Sequence, residues 1–311
     1  MVNYKKEDLT DYFHGLPKSD LHSHAGRGGN LKYISRCVGK EIPLPPEKFS
    51  DIQDMQNWFV ENIRGLTSGV DGQILRWRAA FKQAKEDNLA VMALLFSISE
   101  VELVGGMEKF MGILNGFQRE ICPVTVFIPQ LTFDRGCDVS RAVDELMSVV
   151  DYQYFKSLDI CNDEFAQPIK NLKPLYRKAK ENGLRLIAHV GEIGTAEDVR
   201  EAVEELELDE VNHGIAAAKS KSVMRLLADQ QIQLNICPSS NVMLSIVEDY
   251  VHHPIKRLFE EGIPVTINTD DLLIFNQSIS EEYQNLYAAG LFTKNELDVI
   301  RKTGLKAPWL I

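Results

Sequence analysis

The sequence lacks the marks of an exported or membrane-spanning protein. Its five cysteines are scattered and include no Cys-x-x-Cys pair: Cys37, Cys122, Cys137, Cys161 and Cys237. An odd, scattered set favours free thiols in a reducing compartment over a disulfide framework. The longest apolar-rich stretch, residues 89–98, is far shorter than a bilayer-spanning helix requires. Residues 1–10 lack the apolar region of a secretory signal, so we expect a cytoplasmic protein with no membrane partner.

Basic residues are also in the minority. The chain has 34 lysines and arginines against 45 acids, which gives a formal net charge of −11. Binding to nucleic acid is driven by basic groups that release counterions, and no basic face or run is present here, so we exclude nucleic acid as a partner. A small anionic molecule would need only one or two local basic groups. We therefore expect a small-molecule partner.

Several common catalytic signatures are missing as well. The chain has no His-Glu-x-x-His, no Gly-x-Ser-x-Gly and no Walker A loop. The His-x-Glu…Pro-Cys-x-x-Cys signature of cytidine-type zinc deaminases is also absent. The run Gly26-Arg27-Gly28-Gly29 does not open a βαβ unit, so it is not a dinucleotide fingerprint.

Apolar runs and amphipathic segments alternate along the chain. Strands covered on both faces are predicted at residues 90–98, 124–132, 152–160, 184–190, 232–236 and 264–268, with weaker ones near Leu21 and Val211. Helical periodicity lies between them, as at residues 103–121 and at 199–206 behind a cap at Thr195. Such repetition implies parallel strands with crossover helices. It favours a single (β/α)8 TIM-type barrel domain over residues 1–311, with a doubly wound open sheet as the alternative.

One segment, residues 32–87, interrupts this alternation. Its first part ends at a group of prolines, and residues 74–84 have helical periodicity. In a barrel, an insertion after strand 1 lies over the C-terminal mouth, where active sites form. We therefore expect a helical lid or pocket wall.

Four short motifs follow predicted strands: His22-Ser23-His24, His189-Val190-Gly191-Glu192, His213-Gly214 and Asp270-Asp271. Three imidazoles and one carboxylate (His22, His24, His189 and Asp270) suit a borderline divalent metal such as zinc, with a position left for water. The remaining Glu192, His213 and Asp271 are of the kinds that metal-assisted hydrolysis uses as acid, base and orienting groups. Taken singly, each motif has an ordinary reading as a core histidine or a helix cap. Two adjacent carboxylates, however, are costly unless one binds a cation.

In this order the motifs resemble the adenosine/AMP deaminases of the amidohydrolase superfamily. Residues 16–24 are similar to the opening L-P-K-x-[ED]-L-H-x-H, and residues 189–192 to H-A-G-E, while residues 213–214, 237–241 and 268–271 follow the next three blocks. The resemblance implies a TIM-type barrel with one zinc per chain, bound by His22, His24, His189 and Asp270. It also implies a purine nucleoside or nucleotide substrate and release of ammonia to leave a 6-oxopurine.

The resemblance further implies a role for each remaining residue of the motifs. Glu192 would protonate N1 of the purine while an activated water attacks C6. His213 would orient and deprotonate that water, and Asp271 would hold the water and the leaving amine.

The chain departs from that family at two places. Gly26 replaces a ribose-contacting aspartate, although Ala25 and Asn30 match the AMP deaminase pattern and Arg27 could meet a phosphate. Asn162 replaces a glycine of D-x-A-G-x-E, whose backbone meets the purine. Candidate substrate-binding residues are therefore Gly191, Asn162, Arg27 and Asn30. Two alternatives stay open: a metal-dependent hydrolase of another heterocyclic amine or amide, and a catalytically silent nucleoside-binding barrel.

Overall fold

Eight parallel strands pair in chain order to form a nearly closed barrel. The computed structural model describes residues 6–306, with strands β1 Lys18–Asp20, β2 Leu89–Ser97, β3 Val126–Asp134, β4 Ser157–Cys161, β5 Arg185–Val190, β6 Glu210–His213, β7 Gln233–Ile236 and β8 Val265–Ile267. A bridge between Ser23 and Asp270 joins the segments that follow β1 and β8. The predicted (β/α)8 TIM-type barrel is confirmed. Residues 1–5 and 307–311 of the predicted domain lie outside the described residues.

Helices connect the strands around the outside of the barrel. They are α1 Lys6–Gly15, α2 Leu31–Val38, α3 Ile52–Phe59, α4 Gly69–Glu86, α5 Ile98–Leu103, α6 Met107–Ile121, α7 Val139–Val150, α8 Lys173–Glu181, α9 Ala196–Leu206, α10 Lys221–Asp229, α11 Pro238–Met243, α12 Ile255–Glu260, α13 Leu272–Phe275, α14 Ile279–Ala288 and α15 Lys294–Leu305. Within residues 6–306, no helix combines the length and apolarity that a bilayer crossing needs.

Two predicted boundaries were wrong, each for a local reason. The helix predicted over residues 103–121 is divided into α5 and α6, because Gly105 and Gly106 adopt φ of 95° and 101° and interrupt helical geometry. Strand β4 begins at Ser157 rather than at residue 152, because α7 runs to Val150 and Gln153 then adopts a left-handed φ of 51°. The predicted cap at Thr195 is present and forms a capping box with Asp198.

The insertion between β1 and β2 contains α2, α3, a π-helical turn at Val60–Arg64, and α4. Its buried apolar side chains form a cluster separate from the main core: Leu31, Ile34, Ile42, Phe49, Met55, Phe59, Ile63 and Ala79. The same cluster includes Leu244, which follows β7, and Leu273, Ile274 and Phe275, which follow β8. The insertion therefore packs on the loops at the C-terminal mouth of the barrel. That residues 32–87 act as a lid stays a prediction.

Candidate metal centre and active site

Imidazole and carboxylate groups converge at the C-terminal ends of the strands. The ligand atoms of His22, His24 and His189 lie within 4.8 Å of one another, and Asp270 joins overlapping groups with His22 and with His24. Oδ1 of Asp270 is 3.5 Å from Nε2 of both His22 and His24. Four ligands about 2.0–2.2 Å from one tetrahedral zinc are separated from each other by roughly 3.4 Å. The two 3.5 Å separations match this value, and the four predicted ligands form overlapping close groups that share His22 and His24.

In His22 and His189, Nδ1 has a polar neighbour and Nε2 is left for a metal ion. Nδ1 of His189 lies 3.0 Å from Oδ1 of Asp159, and Nδ1 of His22 lies 3.4 Å from the carbonyl oxygen of Asn235. Within the described part of the chain, Nε2 of both rings is buried without a partner. An unpartnered buried nitrogen is costly, and a metal ligand bond would satisfy it. The donor set therefore fits a metal ion.

The charge states of three of the four predicted ligands also suit metal binding. Burial lowers the pKa of His22 to about 4 and that of His24 well below its usual range, which keeps both rings neutral. Burial opposes the charge of Asp270, but His22 and His24 lower the pKa of this carboxyl below its ordinary value. Burial likewise disfavours charge on His189, yet the Asp159 carboxylate raises its pKa to about 9. Neutral imidazoles and an ionised carboxylate are the forms that bind metals, so His22, His24 and Asp270 are ready to bind, whereas His189 would release a proton on binding.

Two of the site residues have unusual backbone conformations. His213 has φ of 65° and Asp270 has φ of 59°, in the left-handed region that non-glycine residues seldom occupy. Surrounding contacts hold both: Ser240 Oγ donates to Oδ2 of Asp270 at 2.7 Å, and the His213 ring lies 4.7 Å from the ring of His22. Strained backbone of this kind is concentrated at functional sites.

Glu192 and His213 lie next to the predicted ligands. Oε1 of Glu192 is 3.6 Å from Nδ1 of His213, and both residues form a close group with Asp270. Burial, with the charge of Asp270, raises the pKa of Glu192 well above its usual range, whereas burial lowers the pKa of His213 well below its own. A carboxylic acid and a neutral imidazole side by side provide a proton donor and a proton acceptor.

Another carboxylate, that of Glu164, was given no role from the sequence, and it organises the loop that carries Glu192. Glu164 accepts the backbone N–H groups of Gly191, Glu192 and Ile193 at 2.7, 2.9 and 2.7 Å. The N–H of Gly191, a predicted substrate contact, is therefore already bonded to Glu164. Gly191 also has φ of 72°, and a Cβ there would lie 2.2 Å from Val199, so only glycine fits. In the sequence, the position of Glu164 at the end of D-x-A-G-x-E was the signal that could have indicated a role at the site.

Arg27 and Asp271 form an ion pair at the mouth. Arg27 donates from Nη1 to Oδ2 of Asp271 at 2.7 Å and from Nη2 to Oε1 of Gln56 at 2.8 Å. Its guanidinium carbon lies 4.6 Å from the ring centre of Phe59. Burial raises the pKa of Asp271 to about 6, although Arg27 opposes that rise.

The two predicted asparagine contacts lie elsewhere. Asn30 caps α2 by accepting the N–H of Tyr33 at 2.8 Å, and it donates to Gln83 at 2.7 Å. Asn162 has φ of 73° and donates to Asp134. Among residues 6–306, neither side chain is hydrogen bonded to the four predicted ligands. Their roles in substrate binding stay predictions.

A cavity of about 570 Å³ reaches Glu192 from the side of β6 and β7. It runs between the 3-10 turn Ile215–Lys219 and the residues around the start of α12. This volume is within the range of small-molecule pockets. Of the site residues described above, Glu192 lines this cavity and the four predicted ligands do not.

Comparison with known proteins agrees with the geometry. The sequence model of the adenosine deaminase family matches residues 112–311. An adenosine deaminase from Clostridium acetobutylicum is 33% identical over an alignment of 330 positions that covers 94% of this chain and 92% of that protein. The solved adenine deaminase from Arthrobacter aurescens superposes with a TM-score of 0.80 at 21% identity, over 93% of both chains. An amidohydrolase from Burkholderia ambifaria, solved with bound zinc, also has a TM-score of 0.80, at 20% identity over 98% of this chain and 88% of that one. The chain belongs to the adenosine deaminase family and is a metal-dependent aminohydrolase.

Proposed function

We propose that this protein is a zinc-dependent hydrolytic deaminase of a 6-aminopurine nucleoside or nucleotide, with one zinc per chain, producing a 6-oxopurine and ammonia. The observation that carries the proposal is the convergence of His22, His24, His189 and Asp270 beside Glu192 and His213. The 33% identity to a protein named adenosine deaminase supports the purine substrate. The zinc in the Burkholderia structure supports the choice of metal.

Zinc suits the donor set because it prefers imidazole nitrogen with carboxylate oxygen in tetrahedral sites. When bound, zinc acts as a Lewis acid that lowers the pKa of a water ligand to about 7. The neutral rings of His22 and His24 are ready to bind without first losing protons. The Asp159 carboxylate fixes the orientation of the His189 ring through Nδ1.

Glu192 would donate a proton to N1 of the purine ring. Burial and the charge of Asp270 raise the pKa of Glu192 well above its usual range, which favours the protonated carboxyl group that this role needs. Protonation at N1 withdraws electrons from C6 and makes that carbon a better target for water. Because Glu164 holds three backbone amides of this loop, Glu192 approaches the ring from a fixed direction.

His213 and Asp271 would handle the remaining protons. His213 is neutral because burial lowers its pKa, so it can accept a proton from the attacking water and pass it to the departing amine. Asp271, with its pKa of about 6, is a carboxylate at neutral pH and can accept hydrogen bonds from the water and the amine. In the net reaction water replaces the amino group at C6: one water proton leaves with the ammonia, N1 keeps the proton from Glu192, and the second water proton returns to Glu192.

The insertion over residues 32–87 would act as a lid over the reacting centre. Its apolar cluster includes Leu273, Ile274 and Phe275, which lie two to four residues after Asp271. A closed insertion excludes bulk water and strengthens the electrostatic contacts inside.

A second candidate, deamination of the free base adenine, is favoured by one specific observation. At Gly26 a Cβ would lie 3.0 Å from Nε2 of Gln73 and 3.7 Å from Oε1 of Glu100. The ribose-contacting aspartate implied by the resemblance would therefore meet neighbouring side chains. The Arthrobacter structure, named as an adenine deaminase, has the same fold. A free base needs no contact at this position.

Labelled water provides the test. Zinc-loaded protein would be incubated in water enriched in oxygen-18 with adenine, adenosine, 2′-deoxyadenosine and AMP, and the products analysed by mass spectrometry. We expect a 6-oxopurine with one heavy oxygen from a nucleoside or nucleotide. Product from adenine alone would establish the second candidate instead. Absence of a 6-oxopurine from every compound would refute both.

A further inference from the structure

Arg27 connects three parts of the molecule that meet at the barrel mouth. One nitrogen of its guanidinium donates to Asp271, on the loop after β8, and another donates to Gln56 of α3 in the insertion. The ring of Phe59, also in α3, stacks against it at 4.6 Å. A planar guanidinium can make such divergent contacts together, whereas an ammonium group cannot reproduce this geometry.

The backbone of Arg27 is hydrogen bonded to the segment after β1 and to the loop after β8. Its N–H donates to the carbonyl of His24 at 2.8 Å, and its carbonyl accepts the N–H of Leu273 at 2.7 Å. The next residue, Gly28, lies so close to the β1 segment that a Cβ there would be 2.7 Å from Oγ of Ser23. The backbone of Arg27 is therefore fixed between His24, a predicted metal ligand, and the segment after Asp271.

The ion pair also fixes the rotation of the Asp271 carboxylate. Oδ2 accepts from Arg27, while Oδ1 is buried and has no hydrogen-bond partner within the part of the chain that the structure describes. The carboxylate also lies in one close group with His24 and Asp270, near enough to compete for a metal ion. With Oδ2 held by a cation, Asp271 is retained as a hydrogen-bond acceptor.

We propose that Arg27 is a positioning residue: through Gln56 and Phe59 it couples closure of the insertion to the orientation of Asp271, and it keeps Asp271 from becoming a metal ligand. This inference rests on the proposed function, in which Asp271 holds the attacking water and the leaving amine. When the insertion packs against Leu273 and its neighbours, Arg27 is held on both sides. When α3 moves away, Arg27 loses two of its three contacts and no longer holds Asp271 firmly.

The experiment compares Arg27→Met, Arg27→Lys and Gln56→Ala with the wild-type chain. Arg78→Met is the matched control, because the Arg78 guanidinium also lies beside an aromatic ring, 5.7 Å from the ring centre of Phe117 in α6, and the Arg78 side chain is exposed. Each protein would be prepared with zinc for kinetics and with cobalt(II) for visible absorption spectra, which report the number and geometry of ligands.

We expect Arg27→Met to lower kcat roughly 100-fold with little change in KM, because an orienting contact is lost and substrate binding is not. Its cobalt spectrum should shift as Asp271 gains access to the metal. Arg27→Lys should recover only part of kcat, Gln56→Ala should lower kcat less than Arg27→Met, and Arg78→Met should match wild type in every respect.

Two results would overturn the inference. One is an Arg27→Met protein with wild-type kcat and an unchanged cobalt spectrum. The other is a loss confined to KM for AMP while adenosine is unaffected, which would make Arg27 a phosphate contact instead. If the wild-type protein deaminates no 6-aminopurine, the proposed function fails, but the comparison of cobalt spectra still tests whether Arg27 restrains Asp271.

Discussion

The carboxylate of Glu164 accepts the backbone N–H of Glu192 at 2.9 Å, so a residue on the loop after β4 fixes the proposed proton donor on the loop after β5. The amides on either side of Glu192 donate to the same carboxylate. Hydrogen bonds from amides to a buried carboxylate are short and strong, and three of them define a loop conformation. The orientation of Glu192 thus depends on the side chain of Glu164, which need not contact the substrate.

Removal of the Glu164 carboxylate should reduce activity without removing the metal. Glu164→Ala leaves three amides without their acceptor, each worth about 1.5–3 kcal/mol when paired with a charged group, so both thermal stability and kcat should fall. Glu164→Gln keeps one acceptor oxygen and should show a smaller loss in both. Metal content, melting temperature and kcat would be measured together. Wild-type kcat in the alanine variant would contradict the positioning role.

Glu192→Gln should bind the metal normally and lose turnover. The substitution keeps size and polarity but removes the proton proposed for N1, and general acid catalysis typically contributes about 10²–10⁴-fold. Ammonia release and zinc per chain would be determined on the same preparation. Near-normal turnover in this variant would assign the proton to another group.

The two adjacent aspartates should respond differently to substitution. Asp270→Asn should weaken zinc binding, because it removes the one carboxylate of the proposed ligand set, which lies 3.5 Å from His22 and His24. Asp271→Asn should retain zinc but turn over slowly. Competition with a chelator would measure affinity for both variants. Equal zinc affinity in the two proteins would argue against this division of roles.

Gly191→Ala should destabilise the protein more than a glycine substitution at an open position. A Cβ at residue 191 would lie 2.2 Å from Val199, whereas one at Gly183, with a similar φ of 76°, meets nothing within 4 Å. Both variants bear the cost of a left-handed residue, about 1 kcal/mol, so their difference isolates the clash. Urea unfolding would measure it. If the double variant Gly191→Ala, Val199→Ala recovers no stability, the clash is not the cause.

The barrel could be predicted because its strands are buried on both faces and leave short apolar runs in the sequence. The convergence of the candidate metal-binding residues could be predicted because their residue types come at the ends of those runs, as at His189. Contacts between distant segments leave no such pattern. Glu164 and Glu192 are separated by 28 residues, and Arg27 and Asp271 by 244, so neither pairing follows from local periodicity. Asn30 caps α2, and this role was missed because Asn30 matches the AMP deaminase pattern and was therefore interpreted as a substrate contact.

Ammonia release by the metal-loaded protein tests the central claim most directly. Protein stripped of metal and then loaded with one zinc per chain would be assayed with adenine, adenosine, 2′-deoxyadenosine and AMP. The proposed site predicts ammonia from at least one of these compounds, loss of that activity on chelation, and its return when zinc is restored. No ammonia from any of them, with zinc bound at one per chain, would contradict a 6-aminopurine deaminase.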